Sequence, residues 1–466
     1  MRRNRWIALA AVLLSSVSLP VTLTGASVAL PDITTDLKAN LAAVQWVVTG
    51  YNATFASFML ACGSLADLFG RRRVYACGVA SFAVTGLLSA AATNIVLLDV
   101  LRALAGVGGA AAAASGAALL AASFEGPARA RVFGLFGTAL GAGLAFGPTV
   151  AGVLVDAFGW RAAFGVPAGV AVVVLSLVPA LPESRESGRP QVDWAGTVTF
   201  SLALLLLIFA FVQGPALGWT SPIVAGAFVA SPLLLLVFTV VERRQPRPMF
   251  DLTLLASRRF VGFSAAAAIV VCVLIPLLIY LPAYFTNVLG MSAGQAGATL
   301  LLLTGPTLVL PLLSGVLARW APPAAIVVTS VVLVGLGAAW LTVIEPGITR
   351  FGLAGPLLTI GAGMGISTGL IDGLAIGSVD ARRAGTAAGM FNTARLASET
   401  VVIAIFGAVL ASLTGGRFFD PGLTEGLRIM LWAMAVLALL TVLLLALLLQ
   451  KRREPETAAA EPTTVP

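Results

Sequence analysis

The chain has 466 residues, of which 59% are hydrophobic and only 10% charged, with a formal net charge of +8. Length alone admits two or three soluble domains, but soluble domains carry about a quarter charged residues, and a mean hydropathy of +1.01 excludes that class. Lipid leaves only helices or closed barrels to a spanning chain; the apolar runs lack the polar–apolar alternation of barrel strands, so an all-α polytopic membrane protein is expected.

The positive charge does not point to nucleic acid. The basic residues fall in ones to threes between apolar runs, with no basic face or aromatic platform, so no nucleic-acid partner is expected. The chain has no His, which removes the usual proton carrier and metal ligand at neutral pH. Cys62, Cys77 and Cys272 lie in or beside apolar runs without CxxC or metal-ligand spacing, so they read as packing residues and no metal site is predicted.

Runs of about 20 apolar residues divide the chain into fourteen spans. In order these are 6–30, 42–62, 74–93, 95–122, 132–155, 162–181, 195–213, 222–241, 260–281, 295–317, 323–343, 351–376, 386–412 and 427–450. The start, with Arg2, Arg3 and Arg5 before a run from Trp6 to Leu30, imitates a secretory signal but exceeds an ordinary h-region, so it is read as the uncleaved first helix. With the N-terminus in the cytoplasm, Arg71–Arg73, Arg129, Arg131, Arg185, Arg189, Arg243, Arg244, Arg247, Arg258, Arg259, Arg319, Arg382, Arg383 and Lys451–Arg453 all fall inside. Lys38, Arg161, Arg350, Arg417 and Arg428 remain outside, so the positive-inside bias puts both termini in the cytoplasm. Arg over Lys, with abundant Ala, Gly and Val, suits a bacterial source and an inner-membrane location.

The two longest inner connections, 182–194 and 242–259, bracket the seventh and eighth spans. They suggest a six-helix bundle over 1–181, an inserted pair with its flanking loops over 182–259 and a second six-helix bundle over 260–450, a repeat plan common in transporters. The tail 451–466 is rich in Pro, Glu, Thr and Ala and is predicted to be disordered.

The most informative polar interruption is Gly63-Ser64-Leu65-Ala66-Asp67-Leu68-Phe69-Gly70-Arg71-Arg72-Arg73. Glycines suit close helix approach and a tight turn, and Asp67 can cap a helix or pair with arginine. A plain inner loop accounts for the arginines but not for Gly63, Asp67 and Gly70 at these spacings. The stretch resembles the G-x-L-A-D-x-x-G-R-R signature loop of the major facilitator superfamily. That resemblance implies that Asp67 and Arg71 belong to a charge network latching the outward-open state, with Arg72 beside them.

Further matches extend the resemblance over nearly the whole chain and point to the fourteen-helix drug:proton antiporter branch. Arg102, Gly106, Gly108 and Ala110 resemble that superfamily's R-x-x-Q-G-x-G pattern, with Ala105 in place of Gln. Gly143, Gly147, Pro148 and Gly152 resemble the antiporter motif of the fifth helix: small residues four apart let helices touch, and Pro148 removes a backbone bond. Ordinary tight packing is the other reading of Gly143 and Gly147. Trp160-Arg161-Ala162-Ala163-Phe164 and Gly385 to Arg395 also look like this branch. The implied fold is the major-facilitator fold, two six-helix bundles plus an inserted pair. Two departures stand out: Thr22 occupies the place of an acid usual on the first helix, and the second-half loop Gly315 to Arg319 lacks its Asp.

Charge in mid-membrane costs several kcal/mol and marks function by default. Asp99 and Arg102 share a face at i,i+3, and Arg395 and Glu399 at i,i+4. Glu399 falls near mid-membrane, Asp99 nearer the outer surface, and Asp372 close to the cytoplasmic end. One reading makes both pairs static salt bridges. The other assigns the coupling proton to Glu399, with Asp99 second, tuned by Arg395 and Arg102.

The resemblance implies that the first and fourth helices of each half line the cavity. Thr22, Thr24 and Ser27 on the first span, Trp46, Tyr51 and Asn52 on the second, and Phe263 and Tyr280 on the ninth are the substrate candidates, although a lipid-facing or interfacial place is open for each aromatic. So apolar a cavity suits a small hydrophobic, neutral or weakly cationic compound. The expected protein is a monomeric proton antiporter exporting such a compound, without cofactor, since no G-x-x-x-x-G-K phosphate loop or other enzyme signature is present. A carrier of one endogenous metabolite, and a non-transporting sensor or scaffold, are the alternatives.

Overall fold

The computed structural model describes residues 2–183, 193–245, 250–317, 320–380, 383–415 and 422–449. The tail 451–466 and the topology residues Arg185, Arg189, Arg247, Arg319, Arg382, Arg417 and Lys451–Arg453 lie outside the described residues. The helices are α1 (Arg2–Asp36), α2 (Leu41–Phe69), α3 (Arg71–Ala90), α4 (Ile95–Ser123), α5 (Gly126–Phe158), α6 (Ala162–Leu177), α7 (Trp194–Leu217) and α8 (Pro222–Arg244). They continue with α9 (Arg258–Asn287), α10 (Ala293–Leu317), α11 (Pro323–Leu341), α12 (Arg350–Ser367), α13 (Leu370–Gly377), α14 (Ala384–Leu413) and α15 (Gly422–Leu449).

Among the described residues, 13 helices are long and apolar enough to cross a membrane, with α12 and α13 together forming one span. The helix α2, bent by 51°, brings the number to 14, as the apolar runs predict. Side-chain caps start many of them. Asn40 accepts from the Ala43 amide at 2.9 Å and Asn94 from the Leu97 amide at 2.9 Å, each supplying a partner to an orphan N–H.

Helices α1 to α6 pack on one another, as do α9 to α15. Helices α7 and α8 pair together, and α7 lies against both α2 and α14, with Ala53, Ala56, Leu204, Ile208, Val212 and Ala404 forming the apolar seam.

The two six-helix groups meet at one end and part at the other. The meeting end carries the last turns of α1 and α5 and the first turns of α2 and α10. There α1 reaches α9 through Ser27, α2 reaches α14 through Gln45, and α5 lies along α10. Toward the opposite end, Gly134, Gly137 and Gly141 of α5 and Gly373 and Gly377 of α13 have no neighbour within 4 Å of where a Cβ would stand. The molecule is thus a pair of bundles closed at the Asp36 end and open toward the Arg71 end.

Candidate functional site

The stretch Gly63–Arg73 is more helical than its composition predicts. Helix α2 runs on to Phe69, and only Gly70, at φ 106°, leaves the helix before α3 begins at Arg71. That φ is open to glycine and strained for other residues. Gly63 therefore lies inside α2 rather than in a turn, and a Cβ there would stand 4.0 Å from that of Ala114. Asp67 pairs with Arg71 at 2.9 Å across the break. Arg72 reaches Glu183 at 3.4 Å and donates to the Leu181 carbonyl at 3.1 Å. These bonds join α2, α3 and the segment that follows α6, and reach nothing in the second bundle among the described residues.

The small residues of α5 divide their work between two partners. Gly143 lies on the Val17 backbone, and a Cβ at Gly147 would stand 3.2 Å from Cα of Val21, so both let α1 approach. A Cβ at Gly152 would stand 2.8 Å from the Ala293 carbonyl carbon, and one at Gly297 equally close to that of Pro148. Gly152 and Pro148 thus face α10 and the second bundle.

The buried charges are not paired as their spacing predicts. Arg102 is 1% exposed; its Nε donates to the Val47 carbonyl at 2.8 Å, and its guanidinium lies 4.4 Å from the Tyr51 ring centroid and 5.3 Å from that of Phe164. The α2 carbonyl and the two rings hold the guanidinium, and Asp99 makes no ion pair with it; the Asp99 Oδ1 is buried without a hydrogen-bond partner. Arg395 likewise bonds Asn392 at 2.8 Å and pairs with Asp372 of α13 at 3.6 Å, not with Glu399. For Arg102 the competing partners on α2 and α6 decide; for Arg395 the cause lies in helix geometry, because Cα–Cβ bonds tilt toward the helix N-terminus. Arg395 leans toward Asn392 and away from Glu399. Glu399, 6% exposed, is left within electrostatic reach of Arg395 and of Cys272 on α9. Two static salt bridges are therefore absent in this conformation among the described residues.

The substrate candidates separate into four groups. Thr22 and Thr24 donate to the carbonyls of Ser18 and Pro20, at 3.0 and 2.9 Å, within their own helix. Ser27 and Tyr280 join elements instead: Ser27 Oγ donates to the Leu278 carbonyl at 2.7 Å, joining α1 to α9, and Tyr280 Oη to that of Ile403 at 2.7 Å, joining α9 to α14. Tyr51 and Asn52 are buried, with Tyr51 Oη and Asn52 Nδ2 unpartnered. Trp46 packs on Phe209 of α7, centroids 6.4 Å apart, and Phe263 lies in the core. A cavity of about 380 Å³ lies elsewhere, between the α9–α10 and α11–α12 connections, lined by Met291, Gln295 and Arg350 among others.

Sequence reasoning passed over two polar residues. Gln45 donates to the Gly407 carbonyl at 2.7 Å, tying α2 to α14; a lone amide in an apolar run is its signal. Asp156 lies two residues before the end of α5 and bonds the start of α10. It stands just past the fifth apolar run, where an acid reads as an ordinary surface group.

Residues 12–402 match the sequence profile of the Major Facilitator Superfamily. A protein of Streptomyces coelicolor named "Probable actinorhodin transporter" is 33% identical over 434 residues, covering 89% of this chain and 74% of the relative. The puromycin resistance protein of Streptomyces alboniger is 30% identical over 478 residues, covering 99% and 95%. Among solved structures, that of a peptide transporter matches with a TM-score of 0.69 at 13% identity, covering 94% of each chain.

Proposed function

The chain belongs to the Major Facilitator Superfamily, and on that premise we propose that it is a proton-driven secondary exporter of small hydrophobic compounds, antibiotics among them. It works by alternating access as a monomer in the bacterial inner membrane, with both termini in the cytoplasm. The positive-inside bias then makes the open end cytoplasmic, and the structure corresponds to the inward-facing state. Relatives named for puromycin resistance and actinorhodin transport support the substrate class.

The observation that carries the coupling is Glu399, a carboxyl group buried midway along α14 with no arginine within ion-pair distance. A mid-membrane charge costs several kcal/mol, so Glu399 must be protonated or matched when α9 and α14 close around it. In this reading it takes a proton from outside as the drug leaves. It carries the proton through the closure of the outer end and gives it up to the cytoplasm through the open one. Tyr51 and Asn52, buried with unpartnered polar atoms, are the polar contacts offered to substrate in an otherwise apolar path. No resident cofactor takes part; the proton gradient supplies the energy.

Expression in a pump-deficient bacterium, against a panel of antibiotics and dyes, tests the reading. Resistance is expected, and an uncoupler is expected to abolish it. Resistance indifferent to the uncoupler overturns proton drive. No resistance to any compound overturns broad export in favour of a carrier dedicated to one metabolite.

A further inference from the structure

We infer that Asp156 is the latch of the closed end: its carboxylate caps the N-terminus of α10 across the boundary between the two bundles, and that end opens only when the cap is released. The inference rests on alternating access but not on the identity of substrate or coupling ion.

Helix α10 begins at Ala293, where orphan N–H groups and the positive end of the helix dipole seek an acceptor. Asp156 Oδ2 accepts from Ser292 Oγ at 2.8 Å and from the Gly294 amide at 2.8 Å. The same helix start also has a cap from its own chain: the Gln295 amide donates to Ser292 Oγ at 3.2 Å, and the Ser292 amide to Gln295 Oε1 at 3.3 Å. Asp156 is therefore not needed to begin α10. It adds a charged bond between distant chain segments, one in each bundle.

Among the described residues, the other side-chain bonds between α5 and α10 are neutral. Thr149 Oγ1 donates to the Gly297 carbonyl at 2.9 Å and Thr304 Oγ1 to the Ala145 carbonyl at 2.7 Å. The helices also approach closely at Gly152, against Ala293, and at Gly297, against Pro148. The two hydroxyl-to-carbonyl bonds are buried or half-buried, whereas Asp156 lies at the exposed rim of the seam; it differs from them in being a charge-assisted contact that can be released without leaving a dry polar group unmet. Asp32 of α1 lies within electrostatic reach of Asp156. At the opposite end Asp67 engages, among the described residues, Arg71 beside it in the same bundle. The carboxylate at the closed end reaches across the bundles while the one at the open end does not, as a pair of alternately used latches requires.

The test uses the full chain in intact cells, with Thr149→Cys as reporter and a membrane-impermeant maleimide outside. The same chain without the reporter gives the background from Cys62, Cys77 and Cys272. Asp156→Ala is expected to raise the labelling rate about fivefold, the shift expected for loss of one capping side chain. Asp156→Asn, which keeps an acceptor but not the charge, should give a smaller rise, and Ser292→Ala a rise of at least about twofold, since it loses one of the two donors to Asp156 together with the hydroxyl that caps the Gln295 amide. Gln295→Ala, which removes the side-chain half of the same-chain cap and leaves Asp156 both its donors, should leave the rate unchanged and so separates a latch from a general weakening of α10. Labelling of the Asp156 and Ser292 variants at the parent's rate overturns the latch whether or not any drug is exported. Should Asp156→Ala fail to reach the membrane, Asp156→Asn against Gln295→Ala decides alone.

Discussion

Arg395 spends its side chain on Asn392 and Asp372, one turn back along α14 and across to α13, and this leaves Glu399 to the interior by itself. Replacing Glu399 with Gln keeps the shape and removes the exchangeable proton. In proteoliposomes, Glu399→Gln should bind substrate within a few-fold of the parent yet lose uptake driven by an imposed pH gradient; full gradient-driven uptake would sink the assignment. Arg102 poses a different problem, since it is wedged between a carbonyl and two aromatic faces. Lysine keeps the charge but not the planar stack. Arg102→Lys is expected to cost about 1–2 kcal/mol, the worth of a desolvated cation–π contact, and Arg102→Ala about 2–4 kcal/mol by leaving the Val47 carbonyl unmet beside a void. Thermal unfolding of the purified variants in detergent, with the order parent, Lys, Ala in falling midpoint, checks both.

At the level of helices, the contacts that matter are backbone against backbone. Gly106 of α4 sits on Tyr51 of α2, where a Cβ would stand 3.1 Å from the carbonyl carbon and closer still to Thr54 Oγ1. Gly106→Val must push α2 and α4 apart, at about 1–3 kcal/mol for overpacking. Gly141→Ala, on the open part of α5, should change nothing; a midpoint shift equal in the two variants would refute the packing argument. Apolar run length made the number of spans legible, because hydrocarbon thickness fixes it. Helix ends were less so. The stretch Gly63–Arg73 reads as a loop by polarity, yet Asp67 and Arg71 are compatible with helix and pair at i,i+4, so Gly70 alone suffices to turn the chain. The twelfth span reads as continuous but breaks at Thr368 and Gly369, where Gly369 has φ 78°. Gly361, Gly363 and Gly365 are pinned against α10 and α11 while Gly369 touches nothing, and sequence spacing cannot say which glycine in such a run is left unsupported. The charged pairs failed for a related reason: i,i+3 and i,i+4 spacing states who can meet, while side-chain direction and competing partners decide who does.

On the scale of the whole molecule, α7 touches both bundles and so must slide against one of them when the closed end opens. Its bonds indicate which. Ser201 Oγ donates to the Ser57 carbonyl of α2 at 2.9 Å. Toward α14, α7 shares an apolar cluster with Leu396, Ala397, Val401 and Ala404. Apolar surfaces can shift by a fraction of a turn without leaving a polar group unmet, whereas breaking a buried hydrogen bond costs about 1–3 kcal/mol when the partners stay dry. Helices α7 and α8 should therefore travel with the first bundle. A disulfide between Ser57→Cys and Ser201→Cys, positions close enough for a hydroxyl to reach the other's backbone, should leave drug export intact. A thiol-specific cross-link between Leu204→Cys and Ala404→Cys, on α7 and α14, should arrest export, and cleaving it should restore transport. If the first cross-link arrests transport and the second does not, the inserted pair belongs to the second bundle, and the sliding surface is the one between α7 and α2.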